Sequence, residues 1–193
     1  MLRNDYAQEV DGKLLTALKL LTKRKNFWHI SQTELLIRSG ISRELFQKLY
    51  GNKYQFLEQL NQRFIHTMMV EFPIVVDKES SDLFQKKLSL FINAPEKVKQ
   101  LKQLLIFNEG EKLPSFQGLD KQLIKGFNLR LEQRPKADKH EGQAVQETMG
   151  ELIANTLIYA VKTDNLPIFF IDCYVGYIFQ SLSIGDEVNA SEK

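Results

Sequence analysis

A single cysteine, Cys173, stands among 193 residues, so no intrachain disulfide and no multi-cysteine metal site can form. Proline and glycine are also scarce. The five prolines and ten glycines make up about 8% of the chain against a usual ~12%, and so little turn chemistry favours long helices. His29, His66 and His140 are widely separated, and no His/Cys cluster has metal-ligand spacing. There is no glycine-rich phosphate loop and no nucleophile elbow. These absences argue against an enzyme and imply neither metal nor cofactor. Long apolar runs are missing too. The stretch Leu166–Phe179, LPIFFIDCYVGYIF, is shorter than the ~20 residues that span a bilayer and contains Asp172, so it reads as a buried helix. The start MLRNDYAQEV has no basic flank leading into an apolar signal core. A cytoplasmic protein with no membrane partner is expected.

What is present fits a soluble globular chain: 43% hydrophobic residues, 26% charged and a mean hydropathy of -0.29. The net charge of +2 points to no partner by itself, but its distribution is uneven. Residues 1–66 hold eleven Lys or Arg and six acids, a net +5, whereas residues 67–193 hold fifteen and eighteen, a net −3. A basic first third joined to a mildly acidic remainder suggests different partners for the two parts, although uneven solvation of surface helices gives the same pattern.

Apolar residues at helical spacing predict a first helix from the Tyr6–Val10 region to about Lys23, carrying Leu14, Leu18 and Leu21. A second helix starts after Ser31, whose hydroxyl caps it while Glu34 reaches back as in a capping box. Gly40 tolerates the left-handed conformation of a helix stop, and Ser42 caps a third helix almost at once. That helix has Leu45, Phe46 and Leu49 on one side and Arg43, Glu44, Gln47 and Lys48 on the other. A fourth runs from about Lys53 to Phe72. Further helices are predicted at about 82–93, 95–108, 118–133, 143–162 and 166–184, with a charged loop around Arg134–Gly142. No alternating strand pattern appears. The fold class is therefore all-α. His66 reads as a polar packing residue of the fourth helix.

Two short helices joined by about three residues are the signature of a helix-turn-helix, whose second member lies in the major groove. An ordinary helical hairpin has the same outline, so residue chemistry matters. Arg43 and Lys48 suit guanine edges or phosphates, Gln47 suits adenine, and Ser31, Thr33 and Lys53 stand near helix starts suited to phosphate. The candidate DNA-contacting set is Ser31, Thr33, Ser42, Arg43, Glu44, Gln47, Lys48, Tyr50 and Lys53.

The run from Ile30 to Ser42, followed by Leu45-Phe46 and Tyr50-Gly51-Asn52-Lys53-Tyr54-Gln55-Phe56-Leu57, resembles the N-terminal signature of the TetR family of transcriptional regulators. Ser31 stands for the family's capping Thr, Leu35 for its Ile and Ser39-Gly40-Ile41-Ser42 for its turn. Phe46 stands for its Leu, Tyr50 for its Phe and Asn52-Lys53 for its Ser-Lys. The resemblance covers about residues 10–60. Departures are Glu44 at the usual Gly, Leu45 at the Thr or Ser, Gln47 at the phosphate-binding Tyr and Leu49 at another Tyr. A groove-facing Glu44 repels phosphate unless it accepts from cytosine N4 or pairs with Arg43 or Lys48.

In the C-terminal part, the apolar residues of 166–184 surround their helix, which must be covered on several sides. The preceding helix has a broad apolar face. The resemblance implies that two such helices from each chain form a four-helix homodimer interface, with Met149, Leu152, Thr156, Phe170, Tyr174, Tyr177 and Ile178 in it. A central helix pair inside one monomer is the alternative. The resemblance further implies an inducer enclosed by the middle helices, where Phe64, Met68, Phe72, Phe84, Phe91, Phe107 and Phe127 are the candidate lining. Plain core packing is the commoner fate of any one of these side chains. The resulting expectation is a DNA-binding domain over 1–52 and a ligand-binding and dimerisation domain over 53–193. The chain would then act as a homodimeric repressor that binds operator DNA and is released by a small apolar effector. The alternative is a dimeric protein-interaction module of the same fold with weak or no specific DNA binding.

Overall fold

A computed structural model of the protein describes residues 2–74, 78–110, 116–131 and 139–163. The helices are α1 (Leu2–Leu21), α2 (Gln32–Ser39), α3 (Arg43–Tyr50), α4 (Lys53–Val70), α5 (Lys78–Ile92), α6 (Pro95–Phe107), α7 (Leu119–Leu131) and α8 (Lys139–Thr163). The described residues contain no strand. Two differences from the periodicity reading stand out. A short 3-10 turn at Phe27–His29 sits between α1 and α2, and α8 begins at Lys139, taking in the end of the expected 134–142 loop. The helix expected at 166–184 lies outside the described residues.

The chain divides into two compact units, one of Met1–Gln62 with Gln103–Leu119 and one of Arg63–Lys102 with Asp120–Lys193. In the first, α1 packs on α2, and Leu14, Leu18, Leu35, Phe46, Phe56 and Leu57 are fully buried. Each such side chain contributes about 1.5–3 kcal/mol of transfer free energy. Phe46, Tyr50 and Phe56 form a ring cluster with centroids 4.9–6.1 Å apart.

The stretch 103–119 joins this unit through a polar contact that periodicity does not reveal. Asn61 and Asn108 are buried and exchange two amide hydrogen bonds, Asn61 Nδ2 to Asn108 Oδ1 at 3.0 Å and Asn108 Nδ2 to Asn61 Oδ1 at 3.1 Å. Asn108 also donates to the Leu104 carbonyl at 2.7 Å and accepts from the Leu119 backbone N–H at 3.2 Å. Burial of two amides is tolerable because each amide oxygen and nitrogen has a hydrogen-bond partner in this arrangement. Nearby, Trp28 stacks on Tyr54 (centroids 5.5 Å apart) and meets Phe116 edge-on at 5.2 Å. Gly110, at φ 116°, leaves room for that indole, since a Cβ there would lie 2.5 Å from Trp28 Cδ1.

In the second unit, Phe72, Phe84 and Phe127 pack as a triad at 4.9–6.1 Å. Glycine sets two close helix approaches. A Cβ on Gly126 of α7 would press Met69 and Ile65 of α4 at 3.1–3.2 Å, and one on Gly150 of α8 would overlap the Asn128 side chain of α7. His66 is exposed, so it is no packing residue; α4 buries Phe64, Ile65, Met68 and Met69, which turns position 66 outward.

Candidate nucleic-acid interface

Local chemistry builds the α2–α3 pair. Ser31 Oγ accepts from the Glu34 N–H at 3.1 Å, one half of the expected capping box. The Glu34 carboxylate reaches Lys25 Nζ at 2.6 Å, which ties the segment after α1 to the first turn of α2. Gly40 takes φ 69° and its N–H closes on the Leu36 carbonyl at 2.9 Å, a left-handed helix stop that suits glycine. Ile41 is buried, anchoring the turn. Ser42 Oγ then accepts from the Leu45 N–H at 3.2 Å and starts α3. Each cap serine uses its oxygen as acceptor, which leaves its O–H free to donate to an anion.

On α3, Phe46 and Tyr50 are buried and Leu45 and Leu49 half-buried, while Arg43, Glu44, Gln47 and Lys48 are exposed. None of these four side chains makes a hydrogen bond or ion pair among the described residues. Ser31, Thr33 and Ser42 are exposed as well. Seven of the nine candidate DNA contacts are thus accessible on the α2–α3 pair.

The other two require correction. Tyr50 is buried, and its hydroxyl donates to Asp11 Oδ1. The pairing supplies a donor for a carboxylate on the inner face of α1, and it turns the phenol away from any phosphate. Lys53 is also buried. Its ammonium donates to the carbonyls of Phe27 and Trp28 at 3.2 Å each and of Ile30 at 2.6 Å. It also lies 5.0 and 4.9 Å from the ring centres of Phe27 and Tyr54. Burial holds the Lys53 ammonium below its ordinary pKa. The start of α4 is capped instead by Asn52, whose Oδ1 accepts from the N–H groups of Tyr54 and Gln55 at 3.0 Å each. Asp11 was missed by sequence reasoning, although a carboxylate one turn before Leu14 in an apolar stripe is itself a sign of a buried partner.

The candidate ligand set is split. Phe64, Met68, Phe72, Phe84, Phe91 and Phe127 are buried in the second unit, whereas Phe107 belongs to the first. Of the candidate dimer residues, Leu152 and Thr156 are half-buried on α8, and Tyr159 beyond them is 59% exposed. Phe170, Tyr174, Tyr177 and Ile178 lie outside the described residues. Among the described residues there is no group of acids, histidines and cysteines fit for a metal, and no helix long and apolar enough to cross a membrane.

No protein-family profile and no curated protein sequence matches the chain. Its fold is similar to the crystal structure of AlkX, a TetR family repressor from Dietzia sp. strain DQ12-45-1b implicated in biodegradation of n-alkanes. The likeness has a TM-score of 0.50 at 12% identity and covers 87% of this chain and 94% of AlkX. The chain therefore has a TetR-like, all-helical fold.

Proposed function

We propose that this chain is a TetR-like transcriptional regulator, a repressor that binds operator DNA as a homodimer and is released by a small apolar effector. The observation that carries the reading is the exposed, unpaired face of α3, where Arg43, Glu44, Gln47 and Lys48 stand beyond a glycine turn and a serine cap. A helix of this size, entering the major groove with its N-terminal residues toward base edges, presents those side chains to DNA. The partly positive N-termini of α2 and α3, with the hydroxyls of Ser31 and Ser42, suit phosphate contact.

Two heads must dock about 34–36 Å apart, or a multiple of that distance, which requires a dimer. Leu152, Thr156 and Tyr159 on α8 follow an i, i+4, i+7 stripe that is half-buried or exposed, and this stripe is the proposed contact between copies. The proposed functional division is 1–52 for the reader and 53–193 for effector binding and dimerisation. An apolar effector would bind in the second unit by parting the Phe72, Phe84 and Phe127 rings, which now fill one another's space.

A mobility-shift assay of the full chain against genomic fragments, with excess competitor DNA, tests the reading. Retention of a subset of fragments under competition is the expected result. Binding that competitor abolishes on every fragment would overturn it in favour of a protein-interaction module, a reading to which the inward Tyr50 and Lys53 contribute by removing two contacts.

A further inference from the structure

We infer that Glu44 is the base-discriminating residue of α3 and that the base it selects is cytosine. The inference rests on the reading of α3 as a major-groove reader.

Glu44 is the second residue of α3, it is exposed, and among the described residues it has no ion-pair partner. Lys48 stands four residues on, a spacing and an order that favour an ion pair on a helix. The structure leaves both side chains unpaired all the same. An unpaired carboxylate entering a groove lined by phosphates is repelled by them, so it weakens binding to DNA in general unless a base offers it a donor. An ionised carboxylate only accepts hydrogen bonds. In the major groove guanine presents N7 and O6, both acceptors, and thymine presents the O4 acceptor and a methyl group. Either base sets acceptor against acceptor. Adenine offers the N6 donor, but its N7 acceptor lies beside it and repels the second carboxylate oxygen. Cytosine offers N4–H with no acceptor of its own beside it. The O6 of its paired guanine flanks that donor on one side, whereas adenine N6 is flanked on both sides, by its own N7 and by the O4 of thymine, so cytosine is the base that opposes Glu44 least.

Repulsion is what makes the residue selective. Arg43, Gln47 and Lys48 gain from many sites, because phosphates and base acceptors are everywhere along the duplex. Glu44 gains at one kind of base and loses at the rest, so it raises the ratio of specific to non-specific binding more than it raises affinity. A carboxylate in the first turn of a helix also complements the helix dipole. That structural role affects thermal stability and leaves base preference untouched, which separates the two.

The test is selection of bound sequences from a randomised duplex library by the full-length wild type, by Glu44→Ala and by Glu44→Gln, with thermal midpoints recorded alongside. The wild type is expected to select a cytosine in each half-site, whose replacement weakens binding roughly 5- to 150-fold. In Glu44→Ala that preference falls to within about twofold and affinity for random-sequence DNA rises; in Glu44→Gln the preference moves toward adenine. Unchanged cytosine preference in both variants, or a wild-type consensus with no cytosine that depends on Glu44, overturns the inference. Arg43→Ala, measured in parallel, distinguishes the failures. A selective wild type whose affinity depends on Arg43 but not on Glu44 refutes this inference alone. A wild type that selects no sequence, with DNA affinity indifferent to Arg43, refutes α3 as the reader and the inference with it.

Discussion

The ammonium of Lys53 donates to the carbonyl oxygen of Ile30 at 2.6 Å, joining the first residue of α4 to the residue that precedes the Ser31 cap of α2. Two further carbonyls, of Phe27 and Trp28, complete the site. A lysine at the start of a helix beside a helix-turn-helix pair invites assignment as a phosphate contact. Here its charge is spent on holding the entry to α2 in place.

Lys53→Met is therefore expected to cost about 1–3 kcal/mol of folding stability, because it leaves buried carbonyls without their donor. The salt dependence of DNA binding should stay at the wild-type slope. Arg43→Ala and Lys48→Ala should do the reverse, weakening DNA binding at an unchanged melting temperature. Loss of a bidentate base contact costs roughly 1–3 kcal/mol and loss of a phosphate contact lowers the salt slope by about one. Thermal denaturation and salt titration of the three variants check this. A reduced slope with normal stability in Lys53→Met would return that residue to the phosphate-contacting set.

The same residue makes stability depend on alkaline pH. Burial lowers the folded-state pKa of Lys53 below its ordinary 10.5, so between the two values the unfolded chain binds more protons than the folded one. Stability then rises with pH through that window, while below the folded-state pKa the full cost of the buried charge is present. Since Lys53→Met has nothing to titrate there, the stability difference between wild type and variant should shift in favour of the wild type as pH climbs toward 10.5. A difference independent of pH, measured by denaturant titration, would contradict the buried ammonium.

For the amide pair, Asn61→Ala is expected to destabilise the fold by about 1–3 kcal/mol, because Asn108 would stay buried with part of its hydrogen-bonding capacity unmet. Removing both amides as Asn61→Leu with Asn108→Leu should cost less than the sum of the single changes, since the residues are in direct contact. Strict additivity in a double-mutant cycle would show that the two amides are not coupled.

The dimer reading places Tyr159 at a contact between copies. Sedimentation of the wild type should give a dimer at micromolar concentration, and Tyr159→Glu should shift it toward monomer at unchanged helix content, because the charge would be buried without a partner on association. A monomeric wild type would remove the paired-head model of operator binding along with the dimer.

How much of this was legible beforehand divides along a physical line. Helix existence and the turn chemistry of the α2–α3 pair came from nearest-neighbour rules: Ser31 and Ser42 as caps, Gly40 as the left-handed stop, and the apolar spacing of Leu14 and Leu18. These depend on residues within about four positions of one another, the range over which a helix repeats, so sequence alone determined them. It also determined the polar outer face of α3, since Arg43, Glu44, Gln47 and Lys48 lie opposite its apolar side.

Which polar groups turn inward was decided only by tertiary structure. Tyr50 finds Asp11, Lys53 finds three carbonyls of the α1–α2 connection, and Asn61 finds Asn108. These partners stand 39, 23 to 26, and 47 residues away. A buried polar group is stable only where packing brings it a complement, and that complement has no fixed spacing along the chain. Phe107 follows the same logic, because it lies in the first unit beside Asn108, whose bond to Asn61 leaves no trace in local apolar spacing.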